Sequence, residues 1–125
     1  VEKHGAGMDS QLRKGVLELV VLTLLAREPT YGGDLLARLK GNGELAVSQG
    51  TLYPLLARLR KAGYLDISWE PSPSGPPRKI YAVTDSGRAH LRQLTDLWNS
   101  FSAAVSALIR KDTMDNILGV FGARL

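Results

Sequence analysis

The sequence predicts a mainly α domain of the α+β class: short helices, one β-hairpin and a long C-terminal helix. Three observations carry that expectation. Residues 48–63 contain the start, the two faces and the stop of one helix. Pro71–Pro77 places four prolines and a glycine between two strand-like stretches. From Leu91 to Leu108, apolar residues recur at alternating steps of three and four, the signature of a helix that packs on another helix.

The elements follow in chain order. Residues 1–9 lack periodicity and read as a disordered tail or expression remnant, with Met8 as the expected native start. A first helix is expected from about Ser10 to Arg27. Its apolar residues wrap most of the circumference, so a second subunit is expected to help bury it. Pro29 ends this segment, and Thr30 can cap a second helix over Tyr31–Lys40. Leu35, Leu36 and Leu39 of that helix should face inward. Gly32 and Gly33 weaken its first turn, and their smallness allows close approach of a phosphate or of the preceding helix. Gly41–Gly43 breaks the chain.

The third helix is the most informative. Ser48 is a good N-cap, its hydroxyl accepting from free N–H groups of the first turn. Val47 and Leu52 sit where a hydrophobic staple would close. Gly63 stands where a left-handed C′ residue is wanted. Leu52, Leu55, Leu56 and Leu59 form one apolar stripe. The opposite face carries Gln49, Gly50, Tyr53, Pro54, Ala57, Arg60 and Lys61. Pro54 should bend the helix slightly. Leu65, Ile67 and Trp69 alternate as a strand, 71–77 is too proline-rich for a central strand and forms the hairpin tip, and Lys79–Val83 returns with Tyr81 and Val83 inward. Thr84 caps a last helix from Asp85 to about Lys111, with Leu91, Leu94, Trp98, Phe101, Val105 and Leu108 as its seam. Three helices followed by a two-stranded wing make a winged helix-turn-helix.

At 125 residues the chain is one domain by size, able to bury a small core. No apolar run has the length of a membrane span. With no cysteine, disulfides and thiolate metal sites are excluded, which suits a reducing cytoplasm. The net charge of +4 is concentrated: residues 48–92 carry seven basic and three acidic side chains, while the flanking segments each balance to zero. A basic excess confined to the third helix and the hairpin is the footprint expected of a DNA-binding surface. A merely solvated basic face is the competing explanation.

Thr51-Leu52-Tyr53-Pro54-Leu55-Leu56-Ala57-Arg58-Leu59 closely resembles the most characteristic run of the PadR family of bacterial transcriptional regulators. The resemblance extends to Leu12–Leu19, to Tyr31-Gly32, to Gly75–Tyr81 and to Thr84–Arg88, in the family's order and spacing. It implies a homodimer, most simply a repressor of the small type with one C-terminal helix. It also implies that Tyr31 and Tyr53 reach DNA, the Tyr53 hydroxyl touching a phosphate or base edge. A Tyr53 ring packed on the wing is the alternative.

Residue chemistry adds the other contacts. Gln49 can bond adenine bidentately, and the Thr51 methyl can meet thymine. Ser48 and Gly50 complete the helix N-terminus, where a major groove would be entered. Arg60, Lys61, Arg78 and Lys79 should hold phosphates, giving affinity and register but no sequence code. Arg58 could equally pair with an acidic neighbour.

Trp98 admits two readings, a plain core tryptophan or a ligand platform. In small drug-sensing members of the resembled family, a tryptophan at this position from each subunit lines a central cavity and stacks on flat ligands. Leu12, Gly15, Val16 and Leu19 would then complete the wall, with Ser102 one turn beyond. No carboxylate lies on the seam, so nothing favours cationic ligands. His4 lies in the tail, and His90 is read as a surface residue beside Arg88 and Arg92. Neither has the partners that a catalytic or metal site needs, so no enzyme activity, metal or cofactor is expected. The only small molecule anticipated is a planar aromatic effector.

The reading is therefore a cytoplasmic, nucleoid-associated homodimeric regulator on a pseudo-palindromic operator. It comprises a DNA-binding domain at 10–84, a dimerisation helix at 85–112 and a C-terminal extension at 113–125. The alternatives are a winged-helix interaction module and a sequence-independent nucleoid binder.

Overall fold

The computed structural model describes residues 16–122. In chain order these form α1 (16–27), β1 (Thr30–Tyr31), α2 (Gly32–Gly41), a 3₁₀ turn (Gly43–Leu45), α3 (Gln49–Lys61), β2 (Leu65–Ser72), β3 (Gly75–Val83) and α4 (Asp85–Gly122). The chain divides into two compact units, residues 1–92 and 93–125.

The core of the first unit is leucine-rich. Leu17, Val21, Leu22 and Leu25 of α1 meet Leu35 and Leu39 of α2 and the α3 stripe of Leu52, Leu55, Leu56 and Leu59. Leu65 and Tyr81 close it from the sheet. Each fully buried leucine contributes about 1.5–3 kcal/mol of transfer free energy. The remaining apolar side of α1, Val16, Leu19, Val20 and Leu24, is only half-buried. One chain thus leaves part of the apolar circumference of α1 uncovered, as its composition suggests. Leu36 is likewise half-buried.

The sheet differs from expectation. It is three-stranded, antiparallel, in the order β1-β3-β2. Thr30 and Tyr31 pair with Tyr81 and Ile80, so Thr30 belongs to a strand and does not cap α2. Tyr31 occupies the cap position without a side-chain bond, and the Thr30 hydroxyl donates to Asp34 at 2.8 Å.

The hairpin tip is also shorter than predicted. Ser72 already pairs with Gly75, leaving Pro73-Ser74 as the turn. The pairing slips between Glu70 and Ser72, where Pro71 opposes Pro76 and Pro77. A bulge with two residues against one needs fewer ladder N–H donors, which is how prolines fit inside these strands.

α3 is continuous through Pro54. Its C-terminus matches the sequence reading: Gly63 has φ +85°, its N–H donates to Arg60 at 2.9 Å, and Tyr64 N–H donates to Leu59 at 3.0 Å. This is a complete Schellman motif. The N-terminus does not match. The Ser48 hydroxyl caps no backbone N–H and lies 3.3 Å from the Thr51 hydroxyl, while the Ser48 carbonyl accepts from Thr51 and Leu52.

α4 starts as predicted, with Gly87 N–H donating to Thr84 Oγ1 at 3.0 Å. It runs to Gly122, beyond the expected end near Lys111. Asp112 and Asp115 interrupt the apolar seam, yet an interrupted seam does not break a helix.

Candidate nucleic-acid interface

Burying four leucines on one side of α3 fixes which side faces outward. Gln49, Gly50, Tyr53, Pro54, Ala57, Arg60 and Lys61 are all exposed, Ser48 is exposed and Thr51 half-buried. The structure thus presents the predicted residues on one surface, with polar and small side chains at the N-terminal end and cations at the other.

Tyr53 is 41% exposed. Its ring covers the start of α2. A Cβ built on Gly32 would sit 2.5 Å from the ring, so Gly32 makes room for Tyr53 rather than for a ligand. Gly33 leaves similar space for the Tyr31 ring, 3.1 Å from such a Cβ.

The wing cations separate. Strand alternation puts Lys79 and Tyr81 on one face and Arg78 and Ile80 on the other. Tyr31 pairs with Ile80 and so shares the face of Arg78, whose guanidinium lies 4.5 Å from the Tyr31 ring centroid. Lys79 instead faces α3. With Ala57, Arg60, Lys61 and Tyr81 it lines a cleft of about 340 Å³. A second groove, of about 400 Å³ between α1 and α3, is lined by Leu17, Gly50, Thr51, Pro54, Leu55 and Arg58.

Ion pairing sorts the basic residues. Arg58 Nη1 meets Glu18 at 2.9 Å, and Arg38 is held by Asp34 and Glu28. Among the described residues, Arg60, Lys61, Arg78 and Lys79 enter no ion pair. The cations predicted to meet phosphates are therefore uncompensated, as are Arg27, Lys40, Arg88, Arg92, Arg110 and Lys111 elsewhere among the described residues.

The Glu18 cluster was not anticipated. His90 Nε2 lies 2.8 Å from the other Glu18 oxygen, and its ring stacks on Tyr64 at 4.0 Å. His90 is thus a structural partner rather than a bare surface residue. Partial burial pushes the Glu18 carboxyl up. The hydrogen bonds from His90 and Arg58 and the Arg58 charge outweigh it and hold the carboxyl below the ordinary range. No local sequence signal links residues 72 positions apart.

A polar, unpaired, basic helix face beside a basic wing is the geometry of a DNA reader. Comparison with known proteins agrees. The profile of the transcriptional regulator PadR-like family matches residues 21–93. The chain belongs to the PadR-like family. A PadR-like transcription factor of Bacteroides fragilis is 40% identical, over 82% of this chain and 98% of that one, with a TM-score of 0.67. A PadR family regulator of Eggerthella lenta is 36% identical over 86% and 94%, with a TM-score of 0.77. A transcriptional regulator of Mycobacterium tuberculosis is 34% identical over 66% of this chain and 76% of its own length. This PadR-like chain is accordingly a DNA-binding transcriptional regulator with a winged-helix fold, and its family is not one of enzymes.

Of the residues expected around an effector, the described ones belong to α1 and α4. Leu12 and Gly15 lie outside the described residues. Val16 and Leu19 are half-buried on α1. In the second unit, Trp98 is 46% exposed, and Ser102 is half-buried with its hydroxyl 3.5 Å from the Asn99 carbonyl. Of the seam residues, Leu91 and Leu94 are half-buried, and Trp98, Phe101, Val105 and Leu108 are exposed. Among the described residues, no helix is long and apolar enough to cross a membrane.

Proposed function

We propose that this regulator works as a homodimeric, ligand-responsive repressor on a pseudo-palindromic operator. α3 enters the major groove by its N-terminus. Gln49, Gly50 and Thr51 approach base edges, while Ser48, Tyr53, Arg60, Lys61 and Lys79 contact the backbone. Tyr31 and Arg78 meet the backbone from the other face of the wing. The observation that carries this reading is the outward face of α3, with small and polar residues leading and unpaired cations trailing. The 91–108 seam supplies the dimer contact: a helix exposing Trp98, Phe101, Val105 and Leu108 together favours a second copy over water. Two-fold symmetry then sets half-sites about one helical turn, or a multiple of it, apart. A planar aromatic effector at Trp98 would act by preferring one dimer geometry over another. Such a protein resides in the cytoplasm, on the nucleoid.

Gln49→Ala tests the reading. It should cost about 1–3 kcal/mol on the protein's own upstream region and little on random duplex, measured by fluorescence anisotropy at fixed salt. Equal losses on both would make the protein a sequence-independent binder.

A further inference from the structure

The cleft between α3 and β3 contains a residue that base reading does not use. Tyr81 is 7% exposed, yet its side chain lines the cleft beside Arg60, Lys61 and Lys79. Among the described residues its hydroxyl has no hydrogen-bond partner, and no buried side-chain polar atom lacks one. The hydroxyl therefore reaches solvent, through the cleft. Burial pushes the phenol up from its ordinary value, Tyr53 adding to this and Arg60 opposing it. At neutral pH it is a protonated, neutral donor.

The same face of the wing carries a second unused group. Trp69 pairs with Lys79 across the hairpin, and Lys79 Nζ lies 5.6 Å from the indole centroid. Trp69 is 64% exposed, so part of a large flat ring is open to a partner beside Lys79. Tyr81, Lys79 and Trp69 thus form one row from the floor of the cleft outward along the wing.

The chemistry of the row fits one occupant. The cleft is lined by three cations and a neutral hydroxyl, without a carboxylate, which suits a phosphate diester. The flat apolar ring beyond suits the face of a deoxyribose. With α3 in a major groove and the wing over the adjoining minor groove, the strand separating the two grooves must cross this cleft. We propose that the cleft seats one backbone phosphate of that strand, the Tyr81 hydroxyl donating to a phosphoryl oxygen and the Trp69 ring packing on the neighbouring sugar. The inference rests on the major-groove placement of α3.

The experiment titrates wild type, Tyr81→Phe, Trp69→Ala, Trp69→Phe, Lys79→Ala and Gln49→Ala with operator and random duplexes. It then repeats wild type and Tyr81→Phe on operators carrying single methylphosphonates along each half-site. Tyr81→Phe should weaken both duplexes alike, by about three- to tenfold, with the salt slope unchanged because a neutral donor displaces no counterion. Lys79→Ala should lower that slope by about one. At one methylphosphonate position the difference between wild type and Tyr81→Phe should vanish. Trp69→Ala should weaken both duplexes. DNA should shield part of the tryptophan fluorescence from acrylamide, and that part should be missing in Trp69→Phe.

If Tyr81→Phe and Trp69→Ala bind like wild type while Gln49→Ala loses operator affinity, the cleft holds no phosphate and the α3 reading stands. A Tyr81→Phe deficit that persists at every methylphosphonate position also overturns the proposal, since loss through misfolding would not depend on one phosphate. Wild type that binds no duplex overturns both readings.

Discussion

Replacing Gly50 separates what the fold requires from what DNA requires. Gly50 is the second residue of α3 and is exposed. A Cβ placed on it would meet nothing closer than the Ser48 hydroxyl, at 3.8 Å, and its φ is not positive. The free protein therefore accepts a side chain there. Replacing a helical glycine gains up to about 0.5–1 kcal/mol, less in a first turn, so Gly50→Leu should melt at the wild-type temperature or a few degrees above it. DNA should respond oppositely. A leucine projecting from the leading turn would hold the helix away from the groove floor, and Gln49 and Thr51 would lose reach together. At about 1–3 kcal/mol per base contact, operator affinity should fall roughly thirtyfold or more, with a smaller loss on random duplex. Circular dichroism melts and anisotropy titrations at one salt concentration measure the two effects. Unchanged operator affinity would take the N-terminal half of α3 out of the groove, and a clearly lowered melting point would refute the claim that the site is open.

Three further outcomes follow. Gly87→Ala should destabilise by about 1–3 kcal/mol, read from chemical denaturation, because the new methyl group would collide with the Tyr64 carbonyl and Val83; a neutral result would mean that the joint is loose. Glu18 titrates below the ordinary glutamate value of 4.5, so its stabilising contribution is complete above that pH and is lost as pH falls through the folded value. Glu18→Gln should therefore flatten the acid limb of the stability curve, and parallel acid limbs for the two proteins would contradict the shift. Phe101→Asp should dissociate the proposed dimer by putting a charge into a desolvated seam, whereas an unweakened dimer in sedimentation would locate the contact elsewhere.

What could be read in advance was what local pattern encodes. α3 was legible because four leucines at helical spacing, a basic outer face and Gly63 agree on one helix and one stop. β1 was not legible: two residues have no periodicity, and Thr30 after Pro29 reads as a cap until Tyr81 and Ile80 arrive from fifty residues away. The length of α4 was hidden because the seam stops at Leu108 while Met114, Ile117 and Leu118 resume helical spacing on another side of the helix. In the interface, residue types identified the outward cations but not their directions. Only strand register shows that neighbours Arg78 and Lys79 serve opposite faces. Tyr81 lies inward as strand alternation predicts, yet its ring and hydroxyl have different surroundings, which a one-word burial assignment conceals.

The end of the recognition helix and the start of α4 are one hydrogen-bonded joint. The Gly63 carbonyl, just past the Schellman turn, accepts from the Thr84 hydroxyl at 2.6 Å and from Ser86 at 2.8 Å. Tyr64, the next residue, accepts the Thr84 N–H at 3.1 Å and stacks on His90. Glu18 ties His90 and the α3 residue Arg58 to α1. The first two turns of α4 thus cannot reorient without carrying the C-terminus of α3 with them or breaking several of these bonds at once. A link of this kind fixes the first two turns of α4, within the first unit, to the C-terminus of α3.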